Sequence, residues 1–420
     1  MKRSILSTLA AASAIGVSQA SLYHVTEEAQ ESMPLKWTAG INVTYDDNVN
    51  PTAVGPGADD SEVSANPYVG LSFVSITPQT TWDVYARVGA IYYFDKPEAI
   101  GSDDLYAQAR IGVDFTHRVS ERLRISSRNF VSYEMEPDYS YGYATSRQVG
   151  EYLYWQTDNS VGYRWTERLA TYTGFQLSDL DYDSSVPNSD RFIWTLYNQF
   201  RYQLTPQTVL TADYRYSETT GNDLASDSTN HYILVGAEHR FSPNTIGIVR
   251  VGAQLREVDT ALSENTTDPY VELMFNTRVN EQFAIKSFLR YGLEDYDTVV
   301  LANGFVGGTP GTALTEFDSR KTLRLGVSGE YAISQKLSVF GGVDYIMSDY
   351  EDGHLAAAKT VGFGGSPGED LVNAYIGLTM QFTHNLFGDV SYNFTNSSSD
   401  LPSRDYDRNR VNVGVRMEFE

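Results

Sequence analysis

From Trp37 onward, apolar and polar residues alternate one for one along the chain. Trp37, Ala39, Ile41, Val43 and Tyr45 are separated by Thr38, Gly40, Asn42 and Thr44. The runs Trp82 to Phe94, Leu323 to Tyr331 and Val411 to Phe419 repeat the theme. Successive side chains of a strand point to opposite faces, so each run carries one apolar and one polar face. Between the runs, short and long connections take turns. The short ones read small or polar, then charged or Pro, then polar, then apolar. Thr77-Pro78-Gln79-Thr80, Ser120-Glu121-Arg122-Leu123, Thr205-Pro206-Gln207-Thr208 and Thr383-His384-Asn385-Leu386 are examples. They recur about every 40 to 50 residues, the length of a strand, a long loop, a second strand and a tight turn. The long connections, among them Asp46–Asn66, Met135–Arg147, Asp181–Asp190, Tyr296–Asp318 and Tyr350–Asp370, are rich in Gly, Pro, Ser and Asp.

Two long strands per period predict an all-β fold: a transmembrane antiparallel up-and-down β-barrel of about 18 strands (16–18), with short periplasmic turns and long extracellular loops. A β-propeller of similar period needs four strands per blade. A soluble sandwich has no reason to sort its connections into a short end and a long end. Lipid leaves no backbone group free of a partner, so such a sheet must close on itself. Ahead of the strands, Lys2 and Arg3, the apolar stretch Ile5 to Val17, and Ser18-Gln19-Ala20 read as a signal peptide over residues 1–20. Residues 21–36 are then a short periplasmic N-terminal segment, and residues 37–420 the barrel.

Composition narrows this further. Among 420 residues there are 30 Tyr, 19 Phe and 5 Trp, no Cys, and a net charge of -23. That acidity repels phosphate and removes nucleic acid as a partner. Without Cys there is no disulfide framework, thiolate metal site or lipoprotein anchor. No run of about 18 apolar residues is present, which excludes a helical membrane protein.

The opening strand ends in Tyr45-Asp46-Asp47-Asn48-Val49. With the organisation above, it is similar to the first hairpin of the bacterial β-barrel porin families. The chain resembles an outer-membrane β-barrel of the porin type over essentially all of residues 37–420. The final strand departs from the usual aromatic ending, because Glu420 follows Phe419; that bears on assembly efficiency more than on fold.

In a barrel the apolar set faces lipid and the polar set the lumen. Trp37, Trp82 and Trp165 lie beside the terminus or a short turn and suit the membrane-interface girdle. The inward register holds Arg87, Arg110, Arg128, Arg250, Arg290 and Arg324 near mid-strand, with Asp158, Glu272 and Asp344 interleaved. These are the pore-lining candidates, and the arginines together predict a basic patch that favours anions at high salt. Pairing with the interleaved acids is the competing expectation. The inward tyrosines Tyr85, Tyr106, Tyr154 and Tyr197 could stack on a saccharide ring. Inward Gly89, Gly326 and Gly414 are expected to accept polar substitutions. Acidic clusters on the loop side, including Asp46-Asp47 and Glu294-Asp295-Tyr296-Asp297, predict a solvated acidic rim. Asp46, Asp47, Asp295 and Asp297 are weak divalent-ion candidates, but none has the spacing of a calcium loop, and no metal is assigned.

No cofactor and no catalytic residue is expected. His231 and His239, eight residues apart on one strand, are roughly 26 Å apart at about 3.3 Å per residue, too far for a dyad. The sequence therefore predicts passive diffusion of small hydrophilic solutes, saccharides or anions among them. A structural or interaction barrel, serving polysaccharide export or surface adhesion, is the alternative. Expected partners are outer-membrane lipid and lipopolysaccharide, with barrel-assembly machinery and periplasmic chaperones during export; a homotrimer is compatible with the pattern.

Overall fold

The computed structural model describes residues 32–51, 60–97, 103–136, 149–183, 190–221, 224–259, 265–295, 297–306, 309–357 and 365–419. Residues 1–20, read above as a signal peptide, and most of the segment at 21–36 lie outside these residues, as do Tyr296 and Glu420.

Among the described residues, nineteen strands follow one another. The first seven are β1 (Met33–Asp46), β2 (Glu62–Ile76), β3 (Thr80–Tyr93), β4 (Leu105–Arg118), β5 (Leu123–Glu134), β6 (Tyr152–Arg164) and β7 (Leu169–Tyr182). Next come β8 (Arg191–Thr205), β9 (Thr208–Gly221), β10 (Ser228–Ser242), β11 (Thr245–Val258), β12 (Thr266–Arg278) and β13 (Phe283–Leu293). The last six are β14 (Val299–Val306), β15 (Thr309–Ala332), β16 (Leu337–Leu355), β17 (Gly368–Gln381), β18 (Leu386–Ser399) and β19 (Tyr406–Phe419).

Each wall strand pairs antiparallel with its neighbour, and β1 pairs with β19 from Trp37↔Phe419 to Asp46↔Arg410, which closes the ring. β14 pairs only with the first part of β15, while β13 pairs directly with the rest of β15. The closed wall therefore has 18 strands, and β14 belongs to a flap above it.

The short turns lie at one end of the barrel, where the repeat places them. Their small polar first residue has a local job: it accepts a backbone N–H three positions on. Thr80 donates to Thr77 Oγ1 at 2.9 Å, Leu123 to Ser120 Oγ at 3.1 Å, and Leu386 to Thr383 Oγ1 at 3.1 Å. A Ser or Thr hydroxyl at that position closes the turn with its own side chain.

Burial is inverted relative to a soluble protein. Val88, Val327 and Val413 on the outer face are each more than half exposed, while Gln199, Arg250 and Glu272 inside are sealed from solvent. An apolar exterior on a closed sheet is a surface for lipid. Trp37, Trp82 and Trp165 stand exposed on that face at the short-turn end. Trp82 packs on Phe115 at 4.4 Å and Trp165 on Tyr163 at 4.7 Å between ring centroids.

Candidate functional site in the lumen and mouth

The register brings the inward arginines into rows. Arg250, Glu272, Arg290 and Arg324 lie directly opposite one another across β11, β12, β13 and β15. Arg87 lies opposite Arg110, and Arg128 stands between Asp114 and Asp158. Of the six candidate arginines, Arg110, Arg250 and Arg324 meet carboxylates at close range, which favours the competing expectation of pairing at those three positions. Arg110 grips Glu134 through two bonds of 2.9 and 2.8 Å. Arg324 holds Glu294 at 2.6 and 3.2 Å. Arg250 pairs with Glu272, and Arg201 with Glu238.

These last four residues, with Gln199 and Asp213, form a charged belt across β8 to β12. Arg250 and Glu272 are 1% and 0% exposed, so they are wall, not open lining. Charges taken out of water survive only when paired and hydrogen-bonded, and here Tyr270 adds a bond to Glu272 at 3.1 Å. Of the other candidate acids, Asp158 accepts from Tyr197 at 2.6 Å, and Asp344 lies opposite Gly326.

The tyrosines have a structural use that alternation along a single strand does not announce. Tyr68 lies opposite Gly40, Tyr85 opposite Gly112, Tyr172 opposite Gly162, Tyr197 opposite Gly174 and Tyr375 opposite Gly342. In each pair the ring occupies the space a side chain on the glycine would need. A Cβ on Gly112 would sit 2.1 Å from the Tyr85 ring, and one on Gly40 would sit 2.6 Å from Tyr68. Covering a glycine with a cross-strand ring replaces the packing the strand otherwise lacks. In one case a guanidinium completes the stack, with Arg87 centred 3.8 Å over the Tyr68 ring.

Tyr106 and Tyr154 are buried in apolar clusters near the long-loop end, Tyr106 with Val49, Tyr93, Met135 and Val149, and Tyr154 with Tyr152, Leu180 and Tyr182. Neither presents a free ring to the lumen. The inward glycines differ in what a side chain would meet. A Cβ on Gly89 would be 2.6 Å from the Pro67 carbonyl and on Gly326 2.2 Å from the Phe288 ring, which argues against the expected tolerance at those two. At Gly414 it would meet the ends of the Asn42 and Asp389 side chains, at 2.3 and 2.7 Å, which can turn aside.

In two acidic clusters the carboxylates are bound by donors of the chain and do not form the predicted solvated rim. Asp46 turns inward, while Asp47 stays in the outward register that Asn409 shares with Val411. Asp46 is bound by Arg408 at 3.0 Å, and Asp47 by the Asn409 backbone and side chain at 2.6 and 2.7 Å. Glu136, beyond the end of β5, reaches β19 and meets Arg408 at 2.8 Å and Arg410 at 2.9 Å. Burial alone pushes the Glu136 carboxyl up, but the two guanidinium groups outweigh it and hold it down to about 2.

The linker after β13 carries three carboxylates to arginines of β15, β11 and the β18–β19 connection. Glu294 pairs with Arg324 and stands 3.7 Å from Arg320. Asp295 meets Arg256 of β11, and Asp297 meets Arg404 at 3.1 Å in the connection between β18 and β19. Burial opposes the charge on Glu294, yet Arg324 and Arg320 hold its carboxyl well below the usual range. Asp297 adopts a left-handed backbone, with φ of 55°, at this corner. The oxygens of Asp46, Asp47, Asp295 and Asp297 thus face N–H and O–H donors and do not converge on a common point that could hold a cation. Among the described residues, no group of three or more acidic or histidine side chains assembles as a metal site.

A second layer sits above. The flap of β14 and the outer parts of β15 and β16 packs Val300, Ala302, Phe317 and Tyr350 against Leu401. Glu316 in the flap accepts from the Ser226 hydroxyl at 3.0 Å and contacts His354 at 3.0 Å, which ties the flap to the β9–β10 connection. Contacts at the long-loop end thus join the end of β5 to β19, the linker after β13 to the β18–β19 connection, and the flap to the β9–β10 connection.

No family model and no curated protein matches the chain. Solved structures do. OccAB4 of Acinetobacter baumannii is 13% identical, with 93% of this chain and 99% of that one covered and a TM-score of 0.42. OpdK of Pseudomonas aeruginosa with vanillate is 14% identical over 92% and 99%, with a TM-score of 0.46. A BenF-like porin from Pseudomonas fluorescens Pf-5 is 12% identical over 93% and 99%, also at 0.46. At such identity this is a likeness of fold, and the reading of the site below rests on the chain's own residues.

Proposed function

We propose that the protein is a porin-like channel of the bacterial outer membrane, through which small hydrophilic solutes diffuse passively. The observation that carries this reading is the inverted barrel: 18 strands with an apolar outer face around a charged, hydroxyl-rich interior. A ring of that size has room for water along its axis. The short-turn end faces the periplasm, lipid and lipopolysaccharide surround the wall, and periplasmic chaperones and barrel-assembly machinery deliver it. The solute passes the inward-turned segments before it meets the wall arginines, so selection takes place near the long-loop mouth. Purified protein in planar bilayers should give stepwise conductance. Silence would favour a barrel that serves surface interaction or polysaccharide export. Native mass measurement in mild detergent tests the homotrimer.

A further inference from the structure

We propose that Thr219, Ser228, Asn230 and Arg256 form a carboxylate-binding socket in the inner wall, occupied by the chain's own Asp295, and that it takes a free carboxylate once Asp295 is removed. The four residues come from the adjoining strands β9, β10 and β11, and all present donors. Thr219 Oγ1 donates to Asp295 at 3.1 Å, Ser228 Oγ at 3.2 Å, and Asn230 Nδ2 to both carboxylate oxygens at 3.2 and 3.0 Å. The Arg256 guanidinium closes the set as an ion pair. An ionised carboxylate offers only acceptor sites, about four of them, and this arrangement answers them.

The socket is held in shape by contacts that do not involve the Asp295 side chain. Asn230 Oδ1 accepts from Gln254 Nε2 at 2.9 Å, which turns the Asn230 amide hydrogens toward Asp295. Gln254 in turn accepts from the Leu293 N–H at 2.9 Å and donates to the Leu293 carbonyl at 3.2 Å. Asn230 and Arg256 are fully or nearly fully buried. The ligand, by contrast, arrives on the separate linker after β13. Removing it leaves a buried guanidinium without its nearest counter-ion, although Glu316 and Asp318 still act on Arg256. That imbalance is what draws in a replacement anion. A tethered carboxylate outcompetes dilute free ones through its effective concentration, so the intact protein should ignore them.

The test uses acetate on the folded, detergent-purified barrel at constant ionic strength. The unfolding temperature of the parent should be the same in acetate and chloride. Asp295→Ala should unfold at a lower temperature in chloride and recover most of the loss in acetate, and adding Asn230→Ala should abolish the recovery. A destabilised Asp295→Ala that does not respond to acetate overturns the proposal. If Asp295→Ala does not fold in chloride, refolding in acetate decides instead: recovery supports the socket, and failure in both salts overturns it. The socket does not depend on the channel reading. A parent barrel that never conducts would sink that reading and leave the thermal result standing.

Discussion

Gly112 shows how much a single missing side chain settles in this wall. Its Cα lies under Tyr85, and an added Cβ would meet the ring at 2.1 Å. Gly112→Val should cost about 1–3 kcal/mol through overpacking. Combining it with Tyr85→Ser should return part of the loss, since the two positions share one space. A double-mutant cycle on unfolding temperature reads this directly; strictly additive effects would refute the pairing. Outside, Val327 is 55% exposed near mid-span, and Val327→Arg should destabilise by about 2–4 kcal/mol. Full retention of heat resistance would reverse the assigned facing. The facing is legible in the sequence because a period of two is local. The tyrosine–glycine pairs are not, because finding Tyr85 opposite Gly112 needs the inter-strand register, and either residue alone is unremarkable.

Elements behave according to how far away their partners lie in the chain. The tight turns are readable since Thr77 and Ser120 complete their bonds within three residues. The inward turn at Glu136 is not, because Arg408 stands 272 positions further along. Shorter but still non-local separations, 30 positions for Glu294 with Arg324 and 107 for Asp297 with Arg404, hide the contacts of Glu294 to Asp297: charge composition suggests a solvated rim until the facing arginines are located. The Glu136 contact has a defined acid limit. Its folded carboxyl is held at about 2 against an unfolded value near 4.3, so it stabilises fully above the unfolded value. The contribution fades as pH falls from there through about 2. Thermal stability from pH 6 downward should decline more steeply in the parent than in Glu136→Gln, which lacks the titrating group. Parallel curves would show that the contact adds nothing.

For the whole molecule, pairing inside the wall decides how the channel treats ions. With Arg250, Arg201, Arg110 and Arg324 each facing a carboxylate, reversal potentials in asymmetric KCl should show only a weak preference. Glu134→Gln, at the half-covered Arg110 pair, should shift that preference toward anions, and an unmoved potential would remove this pair from the ion path. The buried belt is a poorer place to tune charge. Glu272→Gln leaves Arg250 with only Glu238, at 3.9 Å, as a close carboxylate and should cost up to about 3–5 kcal/mol, visible as a lower unfolding temperature before any change in selectivity. Finally, the closing seam between β1 and β19 has the same antiparallel ladder as the other junctions of the wall, with Trp37 directly across from Phe419. The ring therefore has no privileged starting strand. A circular permutant that joins the two ends by a short linker and opens the chain between Pro243 and Asn244 should rebuild the same wall, with what are now β11 and β10 serving as its first and last strands.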